Sequence, residues 1–170
     1  MGMYPAWIIL KPSTPVDTSA YSAGDLLFDK VEIKNAVPSR GGCSKLVSLT
    51  MYNEAGEDAE DLLVMFFDNS TAIGADANEA ATEITDAEFK ASGFIGSCML
   101  NGGEVGYSVG NGFVYTLPGD SDKGHGLPML VQAKGDSTSI WVAVIVDGGT
   151  PVYSTAADGC KMTFGFEYLG

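Results

Sequence analysis

The only histidine, His125, stands between Gly124 and Gly126, just after Asp120, Ser121 and Asp122. A nucleophilic triad needs a base held by an acid beside a hydroxyl. These residue types are present, but a glycine-flanked loop is a poor mount for them, and His125 reads as an exposed loop residue. Asp120-Ser121-Asp122-Lys123-Gly124 also begins like a calcium loop. An EF-hand then requires an oxygen ligand at its fifth position, Gly at the sixth and Glu at the twelfth. Those places hold Gly124, His125 and Val131, so the match fails. Glu54, Glu57, Asp58, Glu60 and Asp61 offer carboxylates for a divalent ion but read as a solvated acidic turn. Gly106-x-x-x-Gly110-x-Gly112 lacks the Lys-Ser/Thr and the helix start of a phosphate loop. Asn69-Ser70-Thr71 matches the glycosylation sequon, which without secretion is chance.

Cys43, Cys98 and Cys160 are far apart, with no C-x-x-C among them. Neither a zinc site nor a redox pair is supported, and buried free thiols are expected. The odd count fits synthesis in a reducing cytosol. The aromatics Tyr4, Trp7, Tyr21, Tyr107, Tyr115 and Tyr153 can stack on sugars, but such residues more often line core rims with the hydroxyl in water. The sequence thus points to no catalytic residue, metal ligand or cofactor.

The chain must therefore be read for its scaffold. Its 170 residues are the length of one domain, and 45% apolar content with a mean hydropathy of +0.12 excludes a disordered chain. Net charge is -13. Eleven acids lie between Glu54 and Glu88, and no Lys or Arg falls between Leu46 and Phe89. Such a surface repels phosphates, so neither nucleic acid nor an anionic membrane is an expected partner. The acidity serves solubility, or an outward face, or a basic partner. Met1 to Pro15 lacks the basic start and long apolar core of a signal peptide, and no apolar run is long enough to span a bilayer.

The 22 glycines, mostly single or paired between apolar runs, mark turns of an all-β fold. Cys43 to Tyr52 alternates, with Val47, Leu49 and Met51 on one face and Ser48, Thr50 and Tyr52 on the other. Leu26 to Phe28 and Val31 to Ile33 are two strands or one bent strand. Leu62 to Phe67 and Ile140 to Val146 are continuously apolar, as expected of strands buried on both faces. Phe94 to Leu100, Val105 to Tyr107, Phe113 to Leu117, Met129 to Ala133 and Val152-Tyr153 add shorter strands, with a hairpin-type turn at Asn101-Gly102-Gly103. In Cys160 to Leu169, Met162, Phe164, Phe166 and Tyr168 share one face. Asp68 to Glu83 is an aperiodic loop. Thr85-Asp86-Ala87-Glu88 is a capping box, predicting one short helix over 86–92 that stops at Gly93. The expected fold is an antiparallel β-sandwich, jelly-roll-like, over residues 17–170. Residues 1–16 form an extended arm or short edge strand bracketed by Pro5 and Pro12.

Asp17-Thr18-Ser19-Ala20-Tyr21-Ser22-Ala23-Gly24-Asp25, then Val31 to Ala36-Val37, the Gly41-Gly42 break and the strand pair to Phe67 resemble a family of structural proteins of tailed bacteriophage particles. The likeness is fullest from Asp17 to Asn69 and is greatest to capsid decoration (cement) proteins. It implies a β-rich homo-oligomer, commonly a trimer, that binds the major capsid protein and stiffens the shell. It also implies a place on the virion surface after assembly in the host cytoplasm, and no enzymatic activity. A spike, fibre or neck–tail component that binds host surface glycans or other virion proteins is the alternative. The apolar arm offers an assembly contact through Tyr4, Trp7, Ile8, Ile9 and Leu10, or those residues tuck onto the protein's own core. Deleting residues 1–12 is expected to lower occupancy on particles.

Overall fold

The computed structural model describes residues 7–54, 60–110, 112–117, 126–153 and 159–169. Among them ten strands form two antiparallel sheets. The first contains β1 (Trp7–Leu10), β10 (Cys160–Tyr168), β3 (Cys43–Asn53), β7 (Gly112–Leu117) and β6 (Gly106–Val109), in that order, with β8 (Met129–Gln132) also beside β3. The second runs β2 (Leu26–Ile33), β9 (Ile140–Val146), β4 (Asp61–Phe67), β5 (Phe94–Asn101). With the β6–β7 hairpin set aside, four strands (β1-β10-β3-β8) face four (β2-β9-β4-β5), and the chain crosses between sheets as in a jelly roll. The expected all-β sandwich is the fold of this protein.

The alternating strands explain the core. Met162, Phe164 and Phe166 of β10 lie beside Met51, Leu49 and Leu46 of β3, and all six are buried. Phe164 reaches across the sandwich to meet Phe66 of β4 edge-on, ring centroids 6.0 Å apart. Burying each large side chain contributes about 1.5–3 kcal/mol. The face assignment in β3 needs one correction. The ladder pairs Leu46 with Phe166 and Ser48 with Gly165, skipping Val47. This bulge puts Leu46, not Val47, with Leu49 and Met51. The β2 stretch is one strand, bent by two register shifts.

The stretch from Asp17 to Asp25 is architectural. The Asp17 carboxylate accepts from Ser19 N, and Asp25 Oδ2 accepts from Ser22 N at 2.7 Å. Tyr21 is buried, and its hydroxyl donates to Leu27 O at 2.9 Å. These turns anchor the entry to β2.

The helix starts and stops where its sequence dictates. In α1 (Asp86–Ala91), Thr85 Oγ1 accepts from Glu88 N, and Glu88 Oε2 accepts from Thr85 N at 2.9 Å. A second one-turn helix, α2 (Gly102–Val105), replaces the expected hairpin turn, because the Asn101 side chain accepts from Gly103 N and caps it. Val152 and Tyr153 form no strand.

The segment from 68 to 93 is an excursion that clothes the outer side of the second sheet. Ile73, Ala75, Ala81 and Ile84 pack there on Met65, Phe67, Ala143 and Ile145 as a second small core. This is why β4 and β9 are apolar on both faces. Among the described residues the outer side of the first sheet has no such cover.

Candidate assembly surface

The bare outer face of the first sheet is built by register. Side chains paired across an antiparallel ladder point the same way and stand about 5 Å apart. Phe164 and Phe166 point inward, so Thr163, Gly165 and Glu167 point outward, and their partners follow. One row runs Leu130, Lys45, Glu167, with Trp7 opposite Glu167 in the ladder. The next runs Ser48, Gly165, Ile9. The third is a threonine row, Thr116, Thr50, Thr163. The fourth runs Tyr107, Val114, Tyr52, Lys161. Tyr52 lies across Gly112, where a Cβ would meet its ring at 2.7 Å, which keeps this end of the face flat.

Of the seven exposed large apolar residues among the described residues, four lie on this face. Ile9 is 69% exposed, Leu130 67%, Tyr107 76% and Val109 50%. They stand on separate rows, set among threonines, Ser48 and the Lys45–Glu167 pair, and exposed apolar groups gathered on one face are a mark of interaction sites. Its charges are few, and Lys45 and Glu167 pair at 3.4 Å. The other side of the sandwich is the reverse: the excursion carries Asp68, Asp76, Glu79, Glu83, Asp86 and Glu88. One side is near neutral and sticky, the other acidic.

The N-terminal candidates divide. Tyr4 lies outside the described residues. Trp7 to Leu10 are edge strand β1, laid along β10. Ile8 and Leu10 pack on the protein's own core, while Ile9 faces out. Truncation of residues 1–12 would therefore strip an edge strand from β10 as well as any contact, so a point change at Ile9 is the cleaner probe.

The other chemical candidates also find places. His125 and the Asp120–Lys123 stretch lie outside the described residues, as do Glu57 and Asp58. Glu60 is not part of a solvated turn: it is 2% exposed, and its carboxylate accepts from Asn53 Nδ2. Tyr115 donates to Glu60 O at 3.1 Å. Tyr21, Tyr115 and Tyr153 are buried and offer sugars nothing; the hydroxyls of Tyr21 and Tyr115 turn to backbone carbonyls, not water. Burial pushes the Cys98 and Cys160 thiols up to about 12, so neither is a thiolate at neutral pH. Among the described residues no three His, Cys, Asp or Glu gather as metal ligands, and no helix is long and apolar enough to cross a membrane.

Sequence reading passed over Lys30. Its Nζ lies 4.1 Å from the Phe67 ring centre and donates to Asn69 O at 3.2 Å, Thr71 O at 2.6 Å and Ser92 O at 2.7 Å. One ammonium thus ties both ends of the excursion to β2. Burial lowers its pKa to about 8, with Asp29 and Asp68 pulling weakly the other way. Lys30→Met leaves three carbonyls without this donor. It is expected to speed amide exchange at Ile73 and Ala75 by about tenfold or more, with β10 unaffected, as read by hydrogen exchange. No protein-family model matches this sequence, and no curated protein matches it.

Proposed function

We propose that this protein is a non-enzymatic structural component that decorates a tailed-phage capsid, seating its bare sheet on major capsid subunits and turning its acidic side outward. The observation that carries this reading is the inequality of the two faces. The excursion packs over one sheet, leaving only Phe89 and Phe94 of its large apolar side chains exposed, while among the described residues nothing packs over the other, where Ile9, Leu130, Tyr107 and Val109 stand in solvent. A bridge between shell subunits needs a stiff body, a flat adhesive face and no reaction machinery. The sandwich supplies the first, and the four rows supply the second. The sequence likeness from Asp17 to Asn69 supports the phage setting. Copies joined as a trimer would close the open edge of β1 under rotational symmetry.

The test is occupancy on shells of the particle that carries the protein. Ile9→Asp combined with Leu130→Asp places two charges on the face and none in the core. Occupancy is expected to fall by about tenfold or more, since losing two apolar contacts costs at least 1.4 kcal/mol. Glu83→Gln with Asp86→Asn, on the opposite side, should leave occupancy unchanged. Equal occupancy for both pairs, with native circular dichroism, would refute the assignment of the face. Failure of the parent protein to bind any shell would refute the capsid reading.

A further inference from the structure

On the acidic side two loops enclose an open cleft of about 330 Å³. One wall is Asp68 to Thr71, the start of the excursion; the other is the 134–137 turn before β9; Trp141 of β9 completes the lining. Its chemistry is mixed in a specific way. It offers an indole, two carboxylates (Asp68 and Asp136), one ammonium (Lys134), an amide and several hydroxyls.

The walls are fixed before any ligand arrives. Asn69 Nδ2 donates to Asp68 Oδ1 at 2.8 Å, and Asn69 Oδ1 accepts from Thr71 N at 2.8 Å. The Lys30 ammonium holds the carbonyls of Asn69 and Thr71 from behind. Lys134 N donates to Asp68 O at 3.3 Å, linking one wall to the other, and Ser137 N donates to Lys134 O at 2.8 Å. Neither Lys134 nor Asp136 forms an ion pair with another described residue. Walls braced through their backbone cost a ligand little ordering, and the exposed Lys134 and Asp136 side chains are left to meet it.

The balance of groups selects the ligand class. Two carboxylates against one ammonium disfavour a phosphate, sulfate or carboxylate ligand. A divalent ion finds only two carboxylates and no third strong ligand here. A sugar fits both halves of the lining. Its hydroxyls donate to carboxylates and accept from an ammonium, and its C–H face lies against an aromatic ring. We propose that this cleft binds a neutral saccharide, one hexose unit resting on Trp141 with its hydroxyls shared among Asp68, Asp136 and Lys134. The inference is independent of whether the bare face meets a capsid, because the two surfaces lie on opposite sides.

The experiment is a printed array of neutral, sialylated and sulfated glycans, probed with the full chain. It is followed by titration of the best-retained sugar against Trp141 fluorescence in a Trp7→Phe background. Retention of at least one neutral glycan and a saturable change in Trp141 emission are expected. Asp136→Ala, on an exposed turn, and Asp68→Asn should each weaken binding by about tenfold. Retention of no glycan, retention of acidic glycans alone, an unmoved Trp141 signal, or binding undiminished in both variants would each overturn the proposal.

Discussion

Between pH 9 and pH 12 the folded protein is expected to lose most of its stability, after a shallow maximum at about pH 9. Cys98 and Cys160 have an ordinary pKa of 9.0, and burial pushes both up to about 12. The Tyr153 hydroxyl is driven upward from 10.0, by burial first and then by neighbouring Cys160 and Glu60. Below pH 9 the folded and unfolded chains both hold these protons, and stability does not depend on them. Above it the unfolded chain releases protons that the folded chain keeps, so rising pH favours unfolding. Each group removes about 1.4 kcal/mol per pH unit, so the three remove roughly 4 kcal/mol per unit once all are engaged. Two such units remove about 8 kcal/mol, a large part of a domain stability of about 5–15 kcal/mol.

Lys30 has the opposite sign. Its folded pKa of about 8 lies below the ordinary 10.5, so in that window the unfolded chain holds a proton the folded chain has shed. Stability then rises with pH, which produces the shallow maximum before the thiols take over. Lys30 is one group and partly solvated, so it offsets little and stops contributing above 10.5. The net charge of -13 deepens the fall by self-repulsion. Guanidinium midpoints measured from pH 7 to 12 test this. A flat profile would mean that the thiols and Tyr153 reach solvent, and Cys98→Val should make the fall shallower by one group's worth.

The same buried groups show what a linear reading of the chain can reach. Alternation along β10 disclosed its inward face, and the Thr85–Glu88 box disclosed α1, because both signals are local. The continuous apolar runs of β4 and β9 correctly implied cover on both sides. What covers them was hidden, since the excursion touches them through only Ile73, Ala75, Ala81 and Ile84, with no period. Val47 departs from the simple alternation because a bulge is decided by the partner strand, at Gly165 and Phe166. Lys30 gave no signal because its partners are backbone carbonyls, which every residue type carries. The bare face needed four strands in register, and the cleft needed Trp141 set beside loops distant in sequence. Ile8, Ile9 and Leu10 were legible as adhesive, but only pairing with β10 separates the outward one from the inward two.

Gly93→Ala is expected to destabilise the protein by about 3 kcal/mol and to abolish the cleft's affinity for sugar. Gly93 follows α1 with φ +71°, a left-handed conformation that costs a residue with a Cβ about 1–2 kcal/mol. The added carbon would also overlap Asp68 Oδ1 and Asn69 Nδ2. Those atoms cannot swing aside freely. They bond each other, Asn69 also holds Thr71 N, and Asp68 N donates to Gly93 O at 2.8 Å. Displacing the pair breaks hydrogen bonds worth about 1 kcal/mol each. For a chain this size the melting temperature should fall by about 6–12 °C. Gly110→Ala supplies the control. Gly110 has φ +64°, and a Cβ there meets nothing within 4 Å, so it bears the backbone strain alone. If the two substitutions cost the same, the Asp68–Asn69 wall is not packed against Gly93. If Gly93→Ala costs more yet leaves sugar retention intact, that wall is not part of the binding site.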